Sequence, residues 1–142
     1  MKIRRANKDD YQEILRLFTD FVEQPDRYVN KDNDSFLQFI DSENNFVDVA
    51  EEKGNLYAFV TYSIRTVVRY PKPVLEVEEL YVDPKYRKSG IGTKLLERVI
   101  DFAKRTNSQQ IHIVSDLSRL GAHEFYQKVG FEKHGYYFKK VI

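Results

Sequence analysis

Three groups of residues in this 142-residue sequence have types and spacings suited to chemistry. Arg87-Lys88-Ser89-Gly90-Ile91-Gly92-Thr93 is a basic loop with two glycines. Such a loop at a helix start offers unpaired amides and partial positive charge to an anion, which glycines let approach closely. Phe125-Tyr126 carries a phenol that keeps its proton well above neutral pH and so can protonate a leaving group. Glu76, Glu78 and Glu79 form an acidic run; like charges side by side raise carboxylate pKa values toward those of useful bases. Strand alternation places Glu76 and Glu78 on one face and Glu79 on the other. His112, His123 and His134 show no metal-ligand spacing, and no metal is expected. The sequence has no cysteine and no Gly-x-Ser-x-Gly nucleophile motif, which favours direct attack over a covalent intermediate.

The elements that position these groups follow from hydrophobic period and turn chemistry. Lys2–Arg5 reads as a first strand, and Asp9-Asp10 opens a helix whose Tyr11, Ile14, Leu15, Phe18 and Phe21 share a face, closed by Pro25. A short second helix follows Asn33-Asp34-Ser35 and carries Phe36, Leu37, Phe39 and Ile40. Phe46–Ala50 and Leu56–Val68 read as a hairpin about Lys53-Gly54-Asn55. A turn at Tyr70–Pro73 leads to the strand Val74–Val82, which Pro84 ends. A helix over Gly90–Lys104, a strand over Ile111–Val114 and a helix through Ala122, Phe125, Tyr126 and Val129, stopped by Gly130, come next. Tyr136–Val141 is expected as a last strand. The order β-α-α-β-β-β-α-β-α-β predicts one domain, residues 1–142. Its fold class is α/β (α+β), a single mixed, mostly antiparallel sheet flanked by helices on both faces.

The glycine loop alone leaves several anion sites open. A P-loop needs Gly-Lys-Ser/Thr after an upstream glycine, but here Thr93 precedes Lys94 and that glycine is missing. A dinucleotide fingerprint needs a small third residue where Leu95 stands. A basic turn with glycines serving only the backbone also fits. The surrounding residues add a resemblance. Arg87-x-x-Gly90-x-Gly92, after a strand ending in Val82 and before Leu95-Leu96, resembles the acetyl-CoA signature of the GNAT superfamily of N-acetyltransferases. About 35 residues on, Ala122-His123-x-Phe125-Tyr126-x-Lys128-x-Gly130-Phe131 is similar to that superfamily's second motif. The resemblance runs along nearly the whole chain.

It implies a GNAT-like fold and an enzyme that moves the acetyl group of acetyl-CoA directly to a primary amine. The amides of Arg87–Gly92, with Lys88, Ser89, Ile91 and Thr93 around them, would hold the diphosphate. The pantetheine arm would pair with main chain at Leu80, Tyr81 and Val82. The resemblance makes Tyr126 the acid for the departing thiolate and Glu78 the first choice of base, acting through water, with Glu76 second. Arg119 stands where many relatives carry a CoA-contacting asparagine, and His123 is within the same motif. It also suggests a homodimer. A non-catalytic acyl-CoA-binding module is the alternative, and a structural domain without a CoA site leaves the basic loop unexplained.

Charge bears on the acceptor and on other partners. The net charge of +1 offers no basic excess to nucleic acid or anionic lipid. The N-terminus lacks an apolar signal stretch and no apolar run approaches the ~20 residues of a membrane span, so a cytoplasmic protein is expected. Lys85–Arg105 holds seven basic and two acidic residues, whereas Asp20–Glu43 holds seven acidic and two basic. Fields of opposite sign would draw an anionic cofactor to one region and a cationic amine, on a small molecule or peptide, to the other. Phe18, Phe21, Tyr28, Phe36 and Tyr137 could wall a pocket for that amine, although most of them are expected in the core.

Overall fold

The computed structural model describes residues 1–22 and 32–142. The chain divides into two compact units, residues 1–112 and 113–142, and each is described by itself. Strands β1 (Lys2–Arg5), β2 (Asn45–Glu52), β3 (Asn55–Arg65), β4 (Val74–Val82) and β5 (Gln110–Ile113) form one mixed sheet in the order β1-β2-β3-β4-β5. The first four pair antiparallel. Helices α1 (Tyr11–Phe21), α2 (Asn33–Asp41) and α3 (Ile91–Arg105) belong to the first unit, and α4 (Leu120–Lys128) to the second.

Strand parity explains the two cores. Val47 and Val49 of β2 and Phe59 of β3 point to one face, where Ile14 and Leu17 of α1 complete a buried cluster with Ala6, Leu56 and Tyr81. Phe18, Phe21, Phe36, Phe39 and Ile40 pack against it. The Phe18 ring lies 4.4 Å from that of Phe59, and Phe36 5.3 Å from Tyr11. Three of the aromatics expected to wall a pocket, Phe18, Phe21 and Phe36, are therefore core-packing residues; Tyr28 and the helix-closing Pro25 lie outside the described residues. The other parity turns Asp48 and Tyr62 toward α3, which packs on β2, β3 and β4 with Leu95, Leu96, Val99 and Ala103 buried.

Several boundaries differ from expectation. Asn7 rather than Asp9-Asp10 caps the chain's entry to α1, accepting from the Asp9 amide ahead of a 3-10 turn over Lys8–Asp10. β3 ends at Arg65, its last residue paired with β4, and Val68 is fully exposed in the connection. The expected strand Tyr136–Val141 is absent: residues 131–142 take no regular structure, and Tyr136, Tyr137 and Phe138 are 82%, 69% and 88% exposed. Apolar alternation alone does not make a strand; its amides need a neighbouring ladder, and the described tail has none. Tyr137 is thus an exposed tail residue.

Candidate active site

The loop after β4 is built residue by residue. Asp83 accepts a hydrogen bond from the Lys85 amide (2.9 Å) and starts a 3-10 turn over Pro84–Tyr86. The Tyr86 ring stacks on buried Tyr57 at 4.5 Å. Arg87 folds back, its Nε donating to the Val82 carbonyl at 2.9 Å, with its guanidinium over the Tyr81 ring. The Ser89 hydroxyl donates to the Tyr86 carbonyl. Lys88 (φ 60°) and Gly90 (φ 81°) are both left-handed, and the chain then enters α3 directly, with Lys94 N–H bonded to the Gly90 carbonyl at 3.0 Å. The amides of Ile91, Gly92 and Thr93 therefore form the first turn, the positive end of a fifteen-residue helix.

A lysine held left-handed costs about 1–2 kcal/mol, as it also does at Lys53 in the turn between β2 and β3. A Cβ on Gly90 would meet no protein atom within 4 Å, so the backbone conformation itself demands glycine. Lys85 through Gly90 are exposed. An exposed, basic, amide-rich helix start fits a diphosphate; Arg87 contributes as much by closing the loop as by its charge. Leu80 and Val82 are half-buried and Tyr81 is buried in the α1-side core.

The glutamates of β4 do not alternate as expected. Thr61 faces Glu79 and Tyr62 faces Val77, so Glu78 is an extra residue in β4, a bulge. Thr61, Ser63 and Arg65 share one face of β3 and hold all three: the Thr61 hydroxyl donates to Glu79, the Ser63 hydroxyl to Glu78 at 2.6 Å, and Arg65 pairs with Glu76. Glu79 is thus on the same face as Glu76 and Glu78, correcting the sequence expectation. This is the α1 side, because Phe59 precedes Thr61 by two. Burial, with a smaller push from Glu78, raises the Glu79 carboxyl to about 7. Partial burial raises Glu78 as well, against the opposing Ser63 bond.

In the second unit, Tyr126 is half-buried on α4, with the Phe125 and Phe131 ring centroids 5.6 and 6.2 Å away. Burial raises its phenol, with Arg119 opposing, so it stays protonated well past neutrality. Arg119 is the N-cap residue of α4, its carbonyl accepting from the Ala122 and His123 amides. A His123 ring nitrogen lies 2.8 Å from the Asp116 carbonyl, so that ring ties the preceding turn to the helix. His112 pairs with Gln110, and among the described residues no cluster of His, Cys, Asp or Glu is arranged to hold a metal. No helix among them is long and apolar enough to cross a membrane.

Sequence reading missed two groups. Simple alternation puts Glu79 on the opposite face, because a bulge has no signature in a run of alternating residues. Asp48, fully buried between Val47 and Val49, lies 3.1 Å from Arg5 Nε and 3.0 Å from Arg98 Nε and accepts from the Tyr62 hydroxyl at 2.8 Å. A carboxylate in an otherwise apolar strand was its signal. Arg98 belongs to the basic segment 85–105, so part of that segment's charge is neutralised inside the fold.

Comparison with known proteins agrees with this geometry. The acetyltransferase (GNAT) family model matches residues 8–131. An uncharacterised N-acetyltransferase of Methanocaldococcus jannaschii is 30% identical over 138 residues, covering 92% of this chain; the chain spans only 60% of that relative's length. A second, from Archaeoglobus fulgidus, is 29% identical over 131 residues and is covered, like this chain, to 89%. In fold, the chain is similar to an aminoglycoside acetyltransferase from an uncultured soil metagenomic sample, with a TM-score of 0.87 at 20% identity over 99% of this chain and 95% of that one. With its basic turn leading into α3 and its Phe125-Tyr126 motif, the chain belongs to the GNAT family of acyl-CoA-dependent N-acetyltransferases.

Proposed function

We propose that the protein, as one domain over residues 1–142, transfers the acetyl group of acetyl-CoA directly to a primary amine on a cationic small molecule or peptide. The observation that carries the donor half is the left-handed Lys88–Gly90 turn, which presents the first amides of α3 in an exposed basic loop. In this reading the loop residues Arg87–Thr93 bind the diphosphate of the co-substrate, and β4 from Leu80 to Val82 offers main chain to its arm. A carboxylate of β4 accepts the proton that the ammonium must lose before its lone pair can attack. Glu78, acting through water, is the choice from the motif; Glu76 is the weaker one because Arg65 already neutralises it. Tyr126 returns a proton to the CoA thiolate, a role its place in the motif supports and its raised, protonated phenol suits.

The acceptor's positive charge rests on Glu78 and Glu79, which have no ion-pair partner among the described residues, and on the acidic segment 20–43. The words aminoglycoside and aminoalkylphosphonate in the names of two similar proteins both denote amines and leave charge open. The carboxylates favour an enzyme over a pure acyl-CoA binder, which needs none. Thiol release from acetyl-CoA across a panel of cationic, neutral and anionic primary amines tests the reading. Cationic amines should turn over fastest and lose rate with salt; equal turnover of all three classes, indifferent to salt, contradicts the acceptor assignment, and no release with any amine contradicts the activity.

A further inference from the structure

The β4 bulge does more to one carboxylate than to its neighbours. The Thr61 hydroxyl is buried and bonded twice to the same residue: it accepts from the Glu79 amide at 3.1 Å and donates to the Glu79 carboxylate. Main chain and side chain of Glu79 are thereby held by one atom. Glu76 is tied up by Arg65, and Glu78 is the exposed residue of the bulge, held by a half-buried serine. Of the three, Glu79 alone combines a fixed position, a half-buried carboxylate and freedom from a cation.

We propose that Glu79, held at the bulge by Thr61, is the group that takes the proton from the attacking amine, in place of Glu78. This rests on the transferase reading above. The balance is simple. The ammonium gives one proton to the Glu79 carboxylate, and the freed lone pair forms the C–N bond at the thioester carbonyl. Collapse of the adduct breaks the C–S bond and releases the thiolate, which takes a proton from Tyr126; the second nitrogen proton replaces the one Tyr126 gave. Glu79 then returns its proton to solvent, the single proton the overall reaction releases.

The charged and titratable groups facing Glu79 agree with this role. On β4, Glu78 adds repulsion that favours the protonated form. On β3, Arg65 is occupied by Glu76, and Thr61 donates to the ionised form. The carboxyl, raised to about 7, is ionised enough near neutral pH to accept a proton and basic enough to keep it through the attack.

The test compares wild type, Glu79→Gln and Glu78→Gln in two readouts. First, kcat for acetyl-CoA with the best acceptor from a panel of 1,4-diaminobutane, a lysine peptide and an aminoglycoside is followed from pH 5 to 9. The wild type should show an acidic limb near pH 7. Glu79→Gln should remove that limb and lower kcat at pH 8 by roughly 10²–10⁴-fold, with acetyl-CoA binding unchanged. Glu78→Gln should cost less than about tenfold and move the limb to lower pH, because a like charge has gone. Second, Tm is followed over the same range. A carboxyl raised on folding leaves the native state binding more protons between its unfolded and folded values, so the Glu79 contribution to wild-type stability falls from about pH 4.5 to 7. Glu79→Gln should flatten that fall. Retention of both limb and slope in Glu79→Gln overturns the assignment, as does loss of the limb in Glu78→Gln alone. A wild type that releases no thiol with any amine overturns the transferase reading, and this assignment with it.

Discussion

Replacing Asp48 with asparagine removes one charge from a buried polar cluster while preserving its shape. The carboxylate is fully buried between Arg5 and Arg98, with Nε atoms at 3.1 and 3.0 Å, and accepts from the Tyr62 hydroxyl. Its loss leaves the Arg5 and Arg98 guanidiniums without the charge they share, with Arg5 stacked 4.6 Å from the Phe46 ring. Breaking a fully buried ion pair costs about 3–5 kcal/mol. Both arginine side chains are more than a third exposed, at 39% and 37%, so water screens the repulsion. That discount brings the expected loss to about 2–3 kcal/mol. At roughly 3 °C per kcal/mol for a chain of this size, Tm should fall by about 6–9 °C. The companion Tyr62→Phe, which deletes two hydrogen bonds (one donated to Asp48, one accepted from Arg5), should lose about 1–2 kcal/mol. Thermal unfolding of the two variants and their double mutant measures the coupling. A Tm for Asp48→Asn equal to or above wild type would refute the reasoning, since it would mean that desolvation of the carboxylate outweighs its two partners.

Other expectations follow from the same geometry. Tyr126→Phe should lower kcat by roughly 10²–10⁴-fold and leave acetyl-CoA affinity unchanged; steady-state kinetics with a CoA titration separates the two. Gly90→Val forces a β-branched residue to a φ of 81°, and should weaken acetyl-CoA binding while destabilising the free protein by at least about 1–2 kcal/mol. Asp10, held below its ordinary value of 3.8 first by the Arg4 guanidinium, contributes stability that is present above that value and lost as pH falls through the lower, folded one. Acid unfolding of Asp10→Asn should therefore show a shallower loss of stability below pH 3.8 than wild type.

Elements with a strong period were legible from sequence because one face of each is buried. α1 and α3 appear where Ile14, Phe18, Leu95 and Val99 required them, although buried Leu17 was outside the expected face of α1, and the turn at Lys53-Gly54 joins the expected strands. What was hidden depends on pairing. The bulge at Glu78 is set by how β3 aligns with β4, and β3 stops at Arg65 because β4 begins opposite it at Val74. The tail 136–141 has strand composition without a described partner strand. In the site, the loop stood out only together with the second motif, Ala122–Phe131, since glycines and basic residues at a helix start also suit other anions or a plain turn. The left-handed Lys88, the return of Arg87 to Val82 and the Thr61 clamp on Glu79 could not be read, since each is a three-dimensional choice among residues with many alternatives.

The central claim is that the turn from Arg87 to Thr93 holds the diphosphate of acetyl-CoA, and ligand-dependent thermal unfolding tests it most directly. Acetyl-CoA at about 100 times its dissociation constant should stabilise the protein by about 2.7 kcal/mol. CoA should act similarly, NAD and ATP at the same concentration far less, and Gly90→Val should reduce the acetyl-CoA response. No shift with either CoA species, or an undiminished shift in Gly90→Val, would contradict the account.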